Sequence, residues 1–379
     1  MKIGILTSSR ADYGIYLPLL QKMKNDSFFE MEIIAFGTHL SKSHGYTLND
    51  IEKDVYTCIH TISSLISNDD VQSIASSYGL TVLKFSDFWA SNTYDLVFCL
   101  GDRFEMSAAV QAGIPCGVKF AHLHGGETTL GAIDNVYRHQ ITLAAQLHFT
   151  ATRVFREKVI NLLGSSEGVH YVGSLSLNDI KSFVPINRVK LFEKFNIPNE
   201  EFALVTFHPE TMSVQDNVQY AQEMRNTLAT ISKKIFIIIT MPNADTQGSV
   251  YREVIEELKN EFPDRFLLIE NFGKFNYFSA MHYAKILIGN TSSGILEAAS
   301  FGKYVVNVGD RQKGRVQSDN ILNCEFEETA MISAVAKAMS FEKHNGKNVY
   351  FKEGVVDNII KIIKEFYENI QRPFNSFRK

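Results

Sequence analysis

The chain is poor in cysteine: four in 379 residues, Cys58, Cys99, Cys116 and Cys324, with no Cys-x-x-Cys pair and no zinc-ligand spacing among them. That scarcity argues against a disulfide framework and predicts free thiols in a reducing compartment, the cytoplasm. No apolar run approaches the ~20 residues that a bilayer-spanning helix needs, so no membrane association is expected. The opening segment, Met1 to Thr7, turns polar too soon for a secretion signal and reads as a strand. The formal net charge is −4, which leaves no basic excess to hold a nucleic acid. Any anion must then be held by a local cluster rather than by the field of the whole molecule. No Gly-x-Gly-x-x-Gly follows the first apolar run and no Walker A loop occurs, so neither a dinucleotide site nor a P-loop is expected.

What is present is a rhythm. Short apolar runs alternate with helical periodicity along nearly the whole chain, which predicts an α/β protein with parallel sheets covered by helices. Strands are expected near residues 2–7, 31–36, 96–100, 117–121 and 148–150. A second series is expected near 202–207, 235–240, 266–269, 286–289 and 304–308. The small, polar stretch after Val172, with Pro185 and Pro198 beyond it, suggests a boundary. The expected division is a first doubly wound domain over 1–175 and a second over 176–358. A last helix, within 359–379, is expected to pack back on the first domain. Two such sheets facing each other bring strand C-terminal ends to both sides of one cleft, where ligands of this architecture bind.

The polar motifs fall at those ends. Arg10 follows the first strand at the mouth of a helix and can reach a phosphate. Asp102 and Arg103 follow the strand near 96–100. Asp102 reads as a base, an orienting group or a helix cap. His122 and His124 alternate along the next strand, which predicts a shared face, and Glu127 follows two glycines. No third ligand stands at a convincing spacing, so no metal is expected, and His124 with Glu127 reads as an acid/base pair. Asp134 and Arg138, four apart at a helix start, are expected to pair. In the second half His208 and Asn243 follow strands, as a general acid or phosphate partner and a ligand-orienting amide.

The densest signal runs from Ile288 to Arg315. An apolar strand enters a turn, a helix starts at Ser292, Ser293 and Gly294, Glu297 lies a turn further in, and Arg311, Lys313 and Arg315 follow. Unpaired backbone N–H groups at a helix start, hydroxyls, a carboxylate for ribose and clustered cations suit a nucleoside diphosphate.

Together these motifs resemble the hydrolysing UDP-N-acetylglucosamine 2-epimerases, the bacterial NeuC-like enzymes of sialic acid synthesis. The resemblance spans Ser9 to Tyr13, Gly37 to Leu40, Gly101 to Arg103, His122 to Glu127, Asp134 with Arg138 and His139, His208 to Thr211, Asn243 to Asp245, and Gly289 to Arg315. It implies the GT-B architecture, two Rossmann-like domains around a cleft, and a homodimer or homotetramer. The implied substrate is UDP-N-acetylglucosamine, converted to N-acetylmannosamine and UDP by anti elimination to 2-acetamidoglucal and syn hydration, without cofactor. It implies carboxylate catalysis by Asp102 and Asp134, a role for His208 near sugar or phosphate, ligand contacts from Arg103 and Asn243, and a ribose contact from Glu297. Some members carry glutamate where this chain has His124, which makes His124 the expected proton-transfer residue. The same pattern also accommodates UDP-N,N′-diacetylbacillosamine as substrate, or a nucleotide-sugar-binding protein without turnover.

Overall fold

A computed structural model describes residues 1–42, 45–56, 58–66, 68, 70–130, 133–210, 214–242 and 248–371. Seven parallel strands form the first sheet: β1 (Lys2–Thr7), β2 (Glu30–Phe36), β3 (Cys58–Ile62), β4 (Leu96–Leu100), β5 (Phe120–Leu123), β6 (Leu147–Thr150) and β7 (Val169–Tyr171). Their order is β3-β2-β1-β4-β5-β6-β7. Six more form the second: β8 (Phe202–Thr206), β9 (Phe236–Thr240), β10 (Phe266–Ile269), β11 (Ile286–Gly289), β12 (Val305–Val308) and β13 (Ile321–Cys324), ordered β10-β9-β8-β11-β12-β13. All pairings are parallel. Central strands such as β4 and β8 are buried along their whole length, which is why they read as unbroken apolar runs.

Three strands, β3, β7 and β13, were not expected from the sequence. Each lies at a sheet edge and is largely half-buried, so its residues lack the continuous apolar run of a central strand. The strand expected near 117–121 begins later, at Phe120, because Gly117 turns the chain with φ +69°. The single helix expected after Ser292 is two pieces, an α-helix at Ser292–Leu296 and a 3-10 turn at Ala298–Phe301.

Helices cover both faces of each sheet. Tyr16, Leu19, Leu20 and Met23 of the helix Arg10–Lys24 bury against one face of the first sheet. Val355, Val356, Ile359, Ile360 and Ile363 of the last helix, Val355–Gln371, join the same core. Phe85, Trp89, Met106 and Val110 fill the opposite face. In the second sheet, Met224, Ile255 and Val335 pack one side, and Leu191, Phe278 and Met281 the other. A smaller cluster joins the halves: Phe155, Leu177, Ile295, Leu296 and Tyr350. The division expected at 175/176 falls inside the 3-10 turn Leu175–Leu177, which feeds that cluster. Among the described residues no helix is long and apolar enough to cross a membrane.

The strand orders reverse between β1 and β4 in one sheet and between β8 and β11 in the other. At such reversals the connections leave toward opposite sides and open a crevice beyond the strand C-termini. Arg10 and Asp102 follow the first pair of strands; His208 and Ser292 follow the second.

Candidate functional site

The two crevices share one cleft of about 380 Å³, within the range of small-ligand sites. Arg10, Asp102, Arg103, His124, Glu127, Asp134, Arg138, His208, Ser292, Ser293, Glu297 and Arg311 all line it. Gly294 does not. It is buried, and a Cβ there would stand 3.0 Å from Val305, so this glycine lets the short helix pack on β12. Asn243 lies outside the described residues.

On the first wall, Ser9 caps the helix Arg10–Lys24. Its hydroxyl accepts from the Asp12 amide at 3.3 Å, while the Asp12 carboxylate accepts from the amides of Ser8 and Ser9 at 3.0 and 3.1 Å. This capping box sets the first turn, so that Arg10 lines the cleft. Arg138 is almost wholly buried. It donates to the Asp102 carboxylate and, at 2.7 Å, to the carbonyl of His124. Among the described residues no ion pair joins Arg138 to Asp134, contrary to the expectation from sequence; Arg138 pairs with Asp102. Asp134 opens its helix at the cleft wall, and one turn on Arg138 turns beneath the strand ends to reach Asp102. Asp102 does not cap the helix Phe104–Gly113. Arg103 holds that position, and its Nε donates to Glu105 at 2.8 Å.

The shared face expected for His122 and His124 is also absent. Strand β5 stops at Leu123, and His124 adopts a left-handed φ of +65° that swings it out of the strand's alternation. His122 stays in the sheet, with Nε2 on the Gly101 carbonyl at 2.9 Å, while His124 lines the cleft. Its Nδ1 lies 2.7 Å from Glu127 Oε1. Glu127 Oε2 lies 3.0 Å from Arg315. Burial by itself would raise the Glu127 pKa. Arg315, the His124 hydrogen bond and Arg138 outweigh it and hold the carboxyl well below the usual range.

On the second wall, Gly289 ends β11 with φ +133°, and a Cβ there would fall 1.9 Å from the Thr206 carbonyl oxygen. Only glycine permits that approach. Asn290 then clamps the His208 backbone in both directions, at 2.7 and 2.8 Å. Thr291 caps the short helix that starts at Ser292. Arg311 donates to the Pro209 carbonyl at 2.6 Å, and the Asp310 amide to Glu210 at 2.7 Å, so the loop after β12 is bound to the one after β8. Glu297, expected to meet ribose, is buried and accepts from Ser176 at 2.5 Å; burial raises its pKa.

The three cations expected to act together separate. Arg311 lines the cleft, Lys313 is exposed and pairs with Asp310 at 2.8 Å, and Arg315 is buried on Glu127. Lys274 and Tyr277 also line the cleft and were not singled out from sequence. Lys274 reaches across to the Gly14 carbonyl at 2.9 Å, and burial pushes the Tyr277 hydroxyl up to about 12. Lys274 opens the helix Lys274–Tyr283 just after β10, and the polar turn between them, Glu270 to Gly273, lines the cleft as well, a strand end not singled out from the sequence. Among the described residues, one trio could share a metal: Glu32, Cys58 and His60, on β2 and β3 and outside the cleft. Glu32 is already engaged there by Lys2 at 3.0 Å, Tyr94 at 2.7 Å and His60 at 3.0 Å.

The profile of the UDP-N-acetylglucosamine 2-epimerase family matches residues 21–364, and the chain belongs to that family. It is 33% identical to GDP/UDP-N,N′-diacetylbacillosamine 2-epimerase (hydrolyzing) of Campylobacter jejuni, over 97% of this chain and 96% of that one. It is 30% identical to polysialic acid biosynthesis protein P7 of Escherichia coli, over 99% and 97%. The fold matches the UDP-GlcNAc 2-epimerase of Neisseria meningitidis bound to UDP-GlcNAc, with TM-score 0.79 at 14% identity, over 96% of this chain and all of that one.

Proposed function

We propose that the chain is a hydrolysing 2-epimerase that converts UDP-N-acetylglucosamine to N-acetylmannosamine and UDP. The observation that carries this reading is the division of the cleft. Asp102, His124 and Asp134 stand on one wall, and Arg311, His208 and the Ser292 helix start on the other. The C2 proton of the sugar is not acidic in the ground state. As the anomeric C–O bond breaks, positive charge builds on the ring and acidifies it, so base and leaving-group clamp must act together. Arg10, Arg311 and the amides at Ser292 take up the charge of the departing diphosphate. His124, with Asp102 and Asp134, removes the C2 proton to give 2-acetamidoglucal. Water then adds: its proton goes to C2 on the opposite face and its hydroxyl to C1. The sequence is redox-neutral and ends in free sugar and UDP.

A second reading keeps this chemistry and changes the sugar to UDP-N,N′-diacetylbacillosamine. The 33% identity to the Campylobacter protein of that activity favours it. Incubation with each sugar nucleotide in D₂O, followed by NMR, tests both. The expected product is N-acetylmannosamine carrying deuterium at C2. Turnover of the bacillosamine derivative alone selects the second reading, and turnover of neither overturns both.

A further inference from the structure

We propose that Arg315 is a positioning residue: by pairing with Glu127 across the cleft it fixes His124 as the Nδ1–H tautomer and leaves Nε2 as the proton-accepting atom. What that atom does rests on the function proposed above; which tautomer is present does not.

Both oxygens of Glu127 are occupied, Oε1 by His124 at 2.7 Å and Oε2 by Arg315 at 3.0 Å. Side-chain exposure is 7% for His124, 1% for Glu127 and 7% for Arg315, so water does little to screen the three. A carboxylate paired with a guanidinium can only accept, so the shared proton of the His124 contact belongs to Nδ1. The remaining ring nitrogen, Nε2, is then the acceptor. Removal of Arg315 would leave a buried carboxylate without its counter-cation, and a second proton on the adjacent imidazole is the nearest way to restore balance. Glu297 and His122 also interact electrostatically with His124, Arg138 is held on its carbonyl, and Asp102 sits on Arg138 in the same cleft.

Arg315 is not fully used by Glu127. Its Nε and Nη1 are buried without a hydrogen-bond partner among the described residues, and the side chain lines the cleft. Its loop is docked on the loop that carries Glu127. The Leu130 amide donates to the Lys313 carbonyl at 2.9 Å, and a Cβ on Gly314, where φ is +89°, would stand 3.0 Å from Thr128. Arg311 belongs to the same loop. The group that grips the leaving diphosphate and the group that orients the base are thus four residues apart on one segment.

Ring ¹⁵N NMR of the full chain labelled at histidine, assigned with His124→Gln, tests the tautomer without reference to turnover. The wild type is expected to carry the proton on Nδ1 and none on Nε2 at neutral pH. In Arg315→Met the Nε2 resonance is expected to move to the protonated range, and Arg315→Lys to retain the wild-type signal. Glu127→Ala, the second variant should Arg315→Met not fold, is expected to shift the ring toward the Nε2–H tautomer. A proton on Nε2 in the wild type, or an unchanged Nε2 in Arg315→Met and Glu127→Ala, overturns the proposal. In turnover assays, Arg315→Met and Glu127→Gln are each expected to lower kcat about 100-fold with KM within about threefold, and the double variant to be no slower than the slower single. Losses confined to KM, or losses that multiply, overturn it too. If the wild type turns over neither sugar nucleotide, the functional reading fails and the tautomer result still decides this one.

Discussion

His122 holds Thr142 through Nδ1 at 3.1 Å and the Gly101 carbonyl through Nε2 at 2.9 Å, wholly inside the first sheet. Burial pushes its pKa down to about 3. The folded value lies below the unfolded value of about 6.5, so between them the unfolded chain binds the extra proton. The stability due to neutral His122 is therefore complete above about pH 6.5 and lost as pH falls toward 3. The loss is about 1.4 kcal/mol per pH unit, or about 2 kcal/mol between pH 6.5 and 5. His39 and His148, each lowered to about 4 by burial, act in the same direction. They cancel when wild type and His122→Asn are compared. Urea denaturation is expected to show His122→Asn less stable at pH 7.5, with the gap narrowing by about 2 kcal/mol at pH 5. A gap independent of pH would refute this account. At this scale the sequence supplied the chemistry of the His-x-His motif but not its geometry. Alternation places both rings on one face only while the strand lasts, and the left-handed backbone at His124 is set by how the loop packs.

The last helix, Val355–Gln371, illustrates what an element contributes. Its buried residues, Val355, Val356, Ile359, Ile360 and Ile363, form one stripe at helical spacing. Each buried aliphatic is worth about 1.5–3 kcal/mol. The exposed Lys22–Asp357 pair beside them is worth at most about 1 kcal/mol. Ile359→Ala is accordingly expected to cost about 2–5 kcal/mol, and Asp357→Asn less than about 1 kcal/mol, by urea denaturation. Comparable losses from both would mean that the helix is held by charge rather than by burial. That stripe was legible as periodicity, and so were the buried central strands. The edge strands β3, β7 and β13 were not, because a half-exposed strand lacks the long apolar run that marks a buried one.

Across the whole molecule, the cleft is walled by parts remote in sequence: Arg10 and Asp102 on one side, His208, Ser292 and Arg311 on the other. A ligand that bridges them binds only the folded chain and must stabilise it. UDP at about 100 times its Kd is expected to add about 2.7 kcal/mol, read as a rise in Tm that grows with UDP concentration. Arg311→Ala is expected to remove most of that rise at the same UDP concentration, measured from the variant's own ligand-free Tm. A full UDP-induced rise in this variant would exclude Arg311 from the clamp.

The sequence by itself determined the two parallel sheets and most of the residues at their C-terminal ends, because buried strands must be apolar and the polar residues that interrupt them stand where the chain turns. It could not determine partners. Arg138 pairs with Asp102 rather than Asp134, and Arg315 leaves the basic triplet to meet Glu127 across the cleft. A guanidinium on its long side chain finds a carboxylate through space: packing within the first half brings Asp102 to Arg138, and packing of the two halves brings Glu127 to Arg315. The motif at Ser292 is legible as a helix start with unpaired amides. How Arg311, Lys313 and Arg315 divide among the Pro209 carbonyl, Asp310 and Glu127 is decided by the tertiary structure.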